Sequence, residues 1–188
     1  MKRVAIFGSG SGTNAENIIK YFRDSDKIKI ALVLSDKADA YILERGRKAG
    51  ITSLGFSKND LNKADPVLQL LKEHKIDFIV LAGFLKLMPE KILKAYPGRI
   101  INIHPALLPG FGGKDFYGRR VHEAVIASGA IMSGITIHYV NEKFDDGEII
   151  FQAACHVDKK DTPEILAGKV HELEYKFFPV VIERLLGN

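Results

Sequence analysis

Asn102 and His104 are the residues whose types and spacing best suit work on a carbonyl group. They interrupt the apolar, β-branched run that opens residues 99–113, RIINIHPALLPGFGG, and Pro105 ends that run. Side chains of a strand alternate between faces. Ile101 and Ile103 therefore share one face and Asn102 and His104 the other, with Cα atoms ~6.6 Å apart at a rise of ~3.3 Å per residue. An amide NH2 and an imidazolium on one face can both donate to the oxyanion of a tetrahedral intermediate. Taken alone, the stretch favours a plainer account, a buried Asn and His that satisfy backbone groups at a turn.

Other segments offer partners. In NEKFDDG, Asp145 and Asp146 supply a carboxylate that could orient or charge the histidine, or relay a proton through water, although an Asp-Asp-Gly turn is by itself usually just a turn. Gly8, Gly10 and Gly12 precede a helical pattern, so free backbone N–H groups and the positive end of a helix dipole suit a phosphate. The loop lacks the Gly-Lys-Ser/Thr of a Walker motif, and Thr13 stands where the dinucleotide fingerprint needs its last glycine. A general anion site, of phosphomonoester type, fits better than NAD; the alternative is a tight turn with glycine for backbone geometry only. His171 and Glu174 lie three apart on one helix face, where charges most often only solvate. His138 shares a strand face with Thr136 and reads by itself as a satisfied core histidine. No G-x-S-x-G elbow occurs, which disfavours serine hydrolase chemistry.

The elements that must position these groups alternate. Residues 3–7 form a short apolar strand, followed by the glycine loop and a helix with Ile18, Ile19 and Phe22 at helical spacing. Residues 28–35 give a second strand, and YILERGRKAG a helix with Ile42, Leu43 and Ala49 facing inward, closed by Gly50. ITSLGF is a weak third strand; Pro66 opens a helix with Val67, Leu68, Leu70 and Leu71 on its apolar face. DFIVLAG is a continuous apolar strand of the kind buried on both faces of a parallel sheet. A short helix follows Pro89, then the strand bearing Asn102 and His104, a glycine-rich loop, and a helix near residues 120–128. Strand–helix alternation predicts an α/β fold, an open mostly parallel sheet with helices on both faces. Residues 133–140 and 148–157 break the rule, because NEKFDDG is too short for a helical crossover; they predict a C-terminal antiparallel hairpin. Thr162 and Pro163 open a last helix with Leu166, Val170, Leu173 and Phe177 as its stripe, bent at Pro179.

Composition bounds the function class. The 188 residues fit one domain, and 46% hydrophobic with 27% charged content is ordinary for a globular protein. No segment approaches the ~20 apolar residues of a membrane helix. The apolar run after Lys2 and Arg3 ends after four residues, short of an export segment of ~7 to 15. The single cysteine, Cys155, forbids an internal disulfide and a Cys-rich metal site, and a cytoplasmic location is expected. A net charge of +4 comes from interleaved cations and acids rather than from a basic stripe, so no nucleic-acid partner is expected.

Taken together, these segments resemble one family. GSGSGTN after the first strand, then LAGFLKLMP, INIHPALLP and the hairpin IHYVNEKFDDGEIIFQA, are similar to the phosphoribosylglycinamide formyltransferases of purine synthesis, over nearly the whole chain and in order. The resemblance implies a Rossmann-like formyltransferase fold in a single domain, residues 1–188. It further implies formyl transfer from the cosubstrate 10-formyltetrahydrofolate to the amine of phosphoribosylglycinamide, without a metal, by a monomer or homodimer. The family's catalytic trio falls on Asn102, His104 and Asp145, the last being two residues before Gly147, with His138 in support. Ribonucleotide contacts fall on Gly12, Thr13, Asn14, His171 and Glu174. Formyl-folate contacts fall on Leu85, Lys86, Leu87 and Met88 and on Asn141, Glu142, Lys143, Phe144 and Asp145, largely through backbone groups. Ala106 stands where many relatives have serine, and the loop after Pro109 is longer than in the shortest relatives. GFSKNDLNKAD is shorter than in some, so no basic residue for the folate tail is carried over. Relatives that formylate initiator tRNA or hydrolyse formyl-folate need added domains for which the chain has no room. A non-catalytic nucleotide-binding module has no reason to focus three such groups on one carbonyl-sized space, and an NAD-linked dehydrogenase, with Asp36 at the ribose position, fails at the missing glycine.

Overall fold

A computed structural model describes residues 1–187, in which seven strands form one sheet ordered β3-β2-β1-β4-β5-β6-β7. In chain order the elements are β1 (Lys2–Phe7), α1 (Thr13–Tyr21), β2 (Ile28–Ser35), α2 (Tyr41–Lys48), β3 (Thr52–Gly55), α3 (Lys58–Lys63), α4 (Asp65–Glu73), β4 (Phe78–Leu81), α5 (Glu90–Ala95), β5 (Ile100–His104), α6 (Arg119–Ser128), β6 (Met132–Tyr139), β7 (Ile149–His156) and α7 (Pro163–Leu186). β1 to β5 pair in parallel, whereas β6 runs antiparallel to both β5 and β7. The alternating elements and the hairpin thus occur as the spacing predicts.

Pleating divides the core into two layers. Val4, Ile6, Val80, Ile101, Ile103, Ile135 and Ile137 pack on one side with Ile18 of α1, Ile42 of α2, Val125 of α6 and Val170 and Phe178 of α7. Ala5, Phe7, Ile79, Leu81 and Ile100 pack on the other with Leu61 of α3, Val67 and Leu71 of α4 and Ile92 of α5. Successive buried residues of β1 feed opposite layers, which is why its sequence is apolar without a break.

Three details depart from expectation. α3 has no counterpart in the apolar periodicity, because it is short and buries only Leu61; its signal is the capping box of Ser57 and Asp60, in which each side chain bonds the other residue's backbone N–H. In α2 the inward position is Gly46, not the exposed Ala49, because Ser53 and Val33 stand where a side chain at residue 46 would go. In α7 the fully buried stripe is Leu166, Val170, Glu174 and Phe178, while Leu173 and Phe177 are half-buried at its flank, and the helix continues through Pro179. The buried position taken by a carboxylate bears directly on the site.

Candidate active site

The carboxyl ends of β1, β4 and β5 open into one cleft of about 1140 Å3. β1 lies between β2, reached through α1, and β4, reached only after β3, so strand order reverses there and a crevice forms outside the strand ends. The volume exceeds the roughly 300–1,000 Å3 of a pocket for one small ligand, which suits two substrates side by side.

On one wall is the glycine loop. Gly12 is the N-cap of α1 at φ 75°, and a Cβ there would collide with Ile42, so glycine is required by both backbone and packing. Gly12, Thr13 and Asn14 line the cleft at the positive end of α1. Three hydrogen bonds run along the α1–α7 seam: Asn14 Nδ2 to Glu174 Oε2 (2.8 Å), Asn17 Nδ2 to the Tyr175 carbonyl (2.8 Å) and Tyr21 Oη to Glu183 Oε2 (2.7 Å). They set Glu174 beside the helix terminus. Burial raises the Glu174 carboxyl above its ordinary value, while the Asn14 bond and nearby His171 oppose the shift. His171 is exposed, 3.8 Å from Glu174, and also faces the cleft. The reading of Glu174 as a solvating surface charge is thereby corrected, since it lies in the buried stripe of α7.

At the end of β5 the antiparallel register sets Asn102 opposite His138 and His104 opposite Thr136, all on one sheet face. His138 Nδ1 lies 2.8 Å from the Tyr139 carbonyl, and its Nε2 stands 3.1 Å from Asn102 Nδ2 and 3.6 Å from Asp145 Oδ1. Asp145 closes the group from the hairpin. Its Oδ1 is 3.4 Å from Asn102 Nδ2, its Oδ2 is 3.4 Å from His104 Nδ1, and Oδ2 also accepts the Gly113 N–H at 3.0 Å. Asp145 has a left-handed backbone (φ 53°), a conformation Asp tolerates better than most residues. Burial alone would raise its carboxyl, but His138, His104 and the Gly113 N–H outweigh that and hold it below its ordinary value.

His104 is 3% exposed and has acceptors at both ring nitrogens: Asp145 at Nδ1 and the Phe111 carbonyl 2.8 Å from Nε2. Only the imidazolium satisfies both. Burial nevertheless pushes the ring below its ordinary value, and the pull of Asp145 and Phe111 does not overcome it. The protonated His104 expected from sequence therefore meets a real desolvation cost. Thr136, fully buried, anchors the backbone that follows: its Oγ1 donates to the Ala106 carbonyl (2.7 Å) and accepts from Leu108 N (2.9 Å) and Gln152 Nε2 (2.9 Å).

Not every expected contact faces the cleft. Leu85, Lys86, Leu87, Phe144 and Asp145 line it. Met88 is buried in the second core layer, and Asn141, Glu142 and Lys143 form the outer hairpin turn, where Asn141 Oδ1 accepts the Lys143 N–H. Ser9 Oγ accepts the Leu85 N–H at 3.1 Å, which ties the glycine loop to the segment after β4. Wall residues without a sequence signal include Lys37, Lys114, Arg119 and His122. Gln152 did have one, as an uncharged polar residue in the apolar run IIFQAA.

Residues 2–182 match the family described as formyl transferase. The chain belongs to the formyl transferase family. Phosphoribosylglycinamide formyltransferase of Bacillus subtilis (strain 168) is 40% identical, the match covering 100% of this chain and 96% of that protein. The chloroplastic phosphoribosylglycinamide formyltransferase of Arabidopsis thaliana is 43% identical, and the match spans 64% of that relative's length. Among solved structures, phosphoribosylglycinamide formyltransferase from Bacillus halodurans superposes with a TM-score of 0.89 at 40% identity, covering 98% of this chain and 95% of that one. That from Anaplasma phagocytophilum gives 0.91 at 33%, covering 100% and 87%. The formyl transferase fold is thus the sheet and hairpin described above. Among the described residues, no helix of this family member is long and apolar enough to cross a membrane.

Proposed function

We propose that the protein transfers the formyl group of 10-formyltetrahydrofolate to the amine of 5'-phosphoribosylglycinamide, as one formyltransferase domain working in the cytoplasm on small molecules. One observation carries the reading. Asn102, His104 and Asp145 converge at the strand ends, in the same cleft as a helix N-terminus and a buried carboxylate at Glu174. A phosphate seats on the N–H groups of residues 12–14, and the ribose hydroxyls meet Glu174. The amine then reaches the end of β5, while the folate lies along Leu85 to Leu87 and Phe144.

The amine nitrogen attacks the formyl carbon. As the C–N bond forms, the formyl oxygen becomes an oxyanion, and Asn102 Nδ2–H and His104 Nε2–H donate to it. For that, the formyl oxygen takes the place of the Phe111 carbonyl as the acceptor at Nε2. Asp145 steadies the imidazolium through Nδ1 and helps carry the proton lost by the amine to folate N10, whose bond to the formyl carbon breaks. The products are the formylated nucleotide and tetrahydrofolate.

The direct assay mixes purified protein with phosphoribosylglycinamide and 10-formyltetrahydrofolate, follows folate absorbance, and repeats without the nucleotide. Nucleotide-dependent turnover is expected. Equal turnover in both mixtures would instead indicate a formyl-folate hydrolase.

A further inference from the structure

Four buried side-chain atoms lack a hydrogen-bond partner among the described residues: Asn14 Oδ1, Asp36 Oδ1, His122 Nδ1 and Ser133 Oγ. Two of these, on Asn14 and His122, belong to residues that line the cleft. Native proteins pair nearly all buried polar groups, so each exception calls for an explanation. Asn14 already has one, at the seat of the nucleotide. His122 has none. It lies in the first turn of α6, a helix packed on α7, and is 4% exposed.

We propose that His122 is a binding residue for the ribonucleotide, hydrogen-bonding its neutral part between the phosphate and the reacting amine. This rests on the reading of the cleft given above. The position of the ring supports it, because His122 lines the same cleft as His104 at the reacting end and as His171 and Glu174 at the other. The chemistry supports it too. Burial first, and those two histidines next, hold the ring in its neutral form, with one N–H and one lone pair. A neutral imidazole is poorly suited to a phosphate, which already has the helix terminus, and well suited to a ribose hydroxyl or an amide. A half-turn about Cβ–Cγ exchanges Nδ1 with the Cδ2 edge, so either edge can present a nitrogen to the ligand.

A structural histidine and a ligand-binding one differ in the sign of their effect on stability. Replacing a buried, unpaired polar ring by an apolar ring of similar size is neutral or stabilising, whereas removing a paired one destabilises. The test uses H122F and H122Q, with calorimetric titration of phosphoribosylglycinamide, KM for 10-formyltetrahydrofolate, and thermal melting without ligand. H122F is expected to weaken nucleotide binding about tenfold, the effect of one lost hydrogen bond of the stronger kind. It should leave the folate KM within about twofold and the melting temperature equal to or above wild type. H122Q, which keeps a donor and an acceptor, should recover part of the affinity. Unchanged nucleotide affinity in H122F overturns this inference alone, as does a lowered melting temperature with both substrates weakened. A wild-type protein that binds no phosphoribosylglycinamide overturns the parent reading and this one together. If H122F does not fold, the inference falls as well, unless folded H122Q keeps wild-type stability and changes nucleotide affinity without changing the folate KM.

Discussion

The backbone N–H of Gly113 donates to Asp145 Oδ2 at 3.0 Å, the same oxygen that lies 3.4 Å from His104 Nδ1. One carboxylate therefore holds both the histidine and the loop that crosses it. Replacing Asp145 by Asn keeps the shape and removes the charge that stabilises an imidazolium. D145N should fold normally and lose about 10² to 10³ in kcat, as should N102A and H104A, each of which deletes one oxyanion donor. Single-turnover transfer with circular dichroism checks this; near-normal turnover in N102A and H104A would sink the assignment.

Glu174 has its pKa raised by burial, so its charged form is disfavoured in the fold. An acid raised in this way binds protons more tightly folded than unfolded, and stability declines as pH rises above the ordinary carboxylate range. E174Q removes that decline. In the absence of ligand it should be more stable than wild type by about 1 kcal/mol at pH 7.5, yet bind phosphoribosylglycinamide at least about tenfold more weakly. Urea denaturation beside calorimetric titration measures both halves.

His122 shifts in the opposite sense, down to about 4, through burial and then His171 and His104. The unfolded chain takes up a proton near pH 6.5 and the folded one does not. The contribution is complete above about pH 6.5 and is lost as pH falls toward 4, by roughly 2 to 3 kcal/mol. His104 acts in the same direction, so the decisive quantity is a difference: H122F should lose less stability than wild type between pH 7 and pH 4.5 in urea titrations.

Thr136 is fully buried and makes three hydrogen bonds through one oxygen. T136V conserves shape and leaves the Ala106 carbonyl, Leu108 N–H and Gln152 amide to find other partners. A loss of about 2 to 4 kcal/mol in denaturant unfolding is expected, together with lower kcat, because this oxygen anchors the segment next to His104.

Much of this architecture was legible in the chain. Period-two and helical patterns placed the strands and helices, and NEKFDDG, too short for a crossover, announced the hairpin that delivers Asp145. What escaped has physical reasons. α3 buries a single leucine, so it leaves no periodic trace. Glu174 reads as a surface charge because a helix stripe reports burial only where it is apolar, and this one is broken by a buried carboxylate. The return of residues 111–113 onto His104 and Asp145 depends on irregular backbone, whose contacts follow no period. His122 stayed hidden for a related reason: its neighbours are brought to it by β5 and α7, far away in sequence.

Gly147 marks where the hairpin tolerates least. A Cβ there would overlap the Tyr139 carbonyl oxygen, which is backbone and cannot swing aside. G147A should cost more than about 3 kcal/mol or prevent folding, whereas G113A, with open space around the same atom, should cost only the strain of its positive φ, about 1 kcal/mol. Melting temperatures of the two variants make the comparison.

The single reversed strand, β6, has a consequence for how such a chain can change length. Asn102, His104, Thr136 and His138 meet because two antiparallel strands agree on which residues point to one side. Adding one residue within β6 before Thr136 would turn Thr136 and His138 toward α7 and bring Ile135 and Ile137 round beside Asn102. Adding two would restore the side, though not the opposite partner. In this strand the effect of an insertion depends on parity: an odd change turns these side chains away from the cleft, and an even one keeps them on its side.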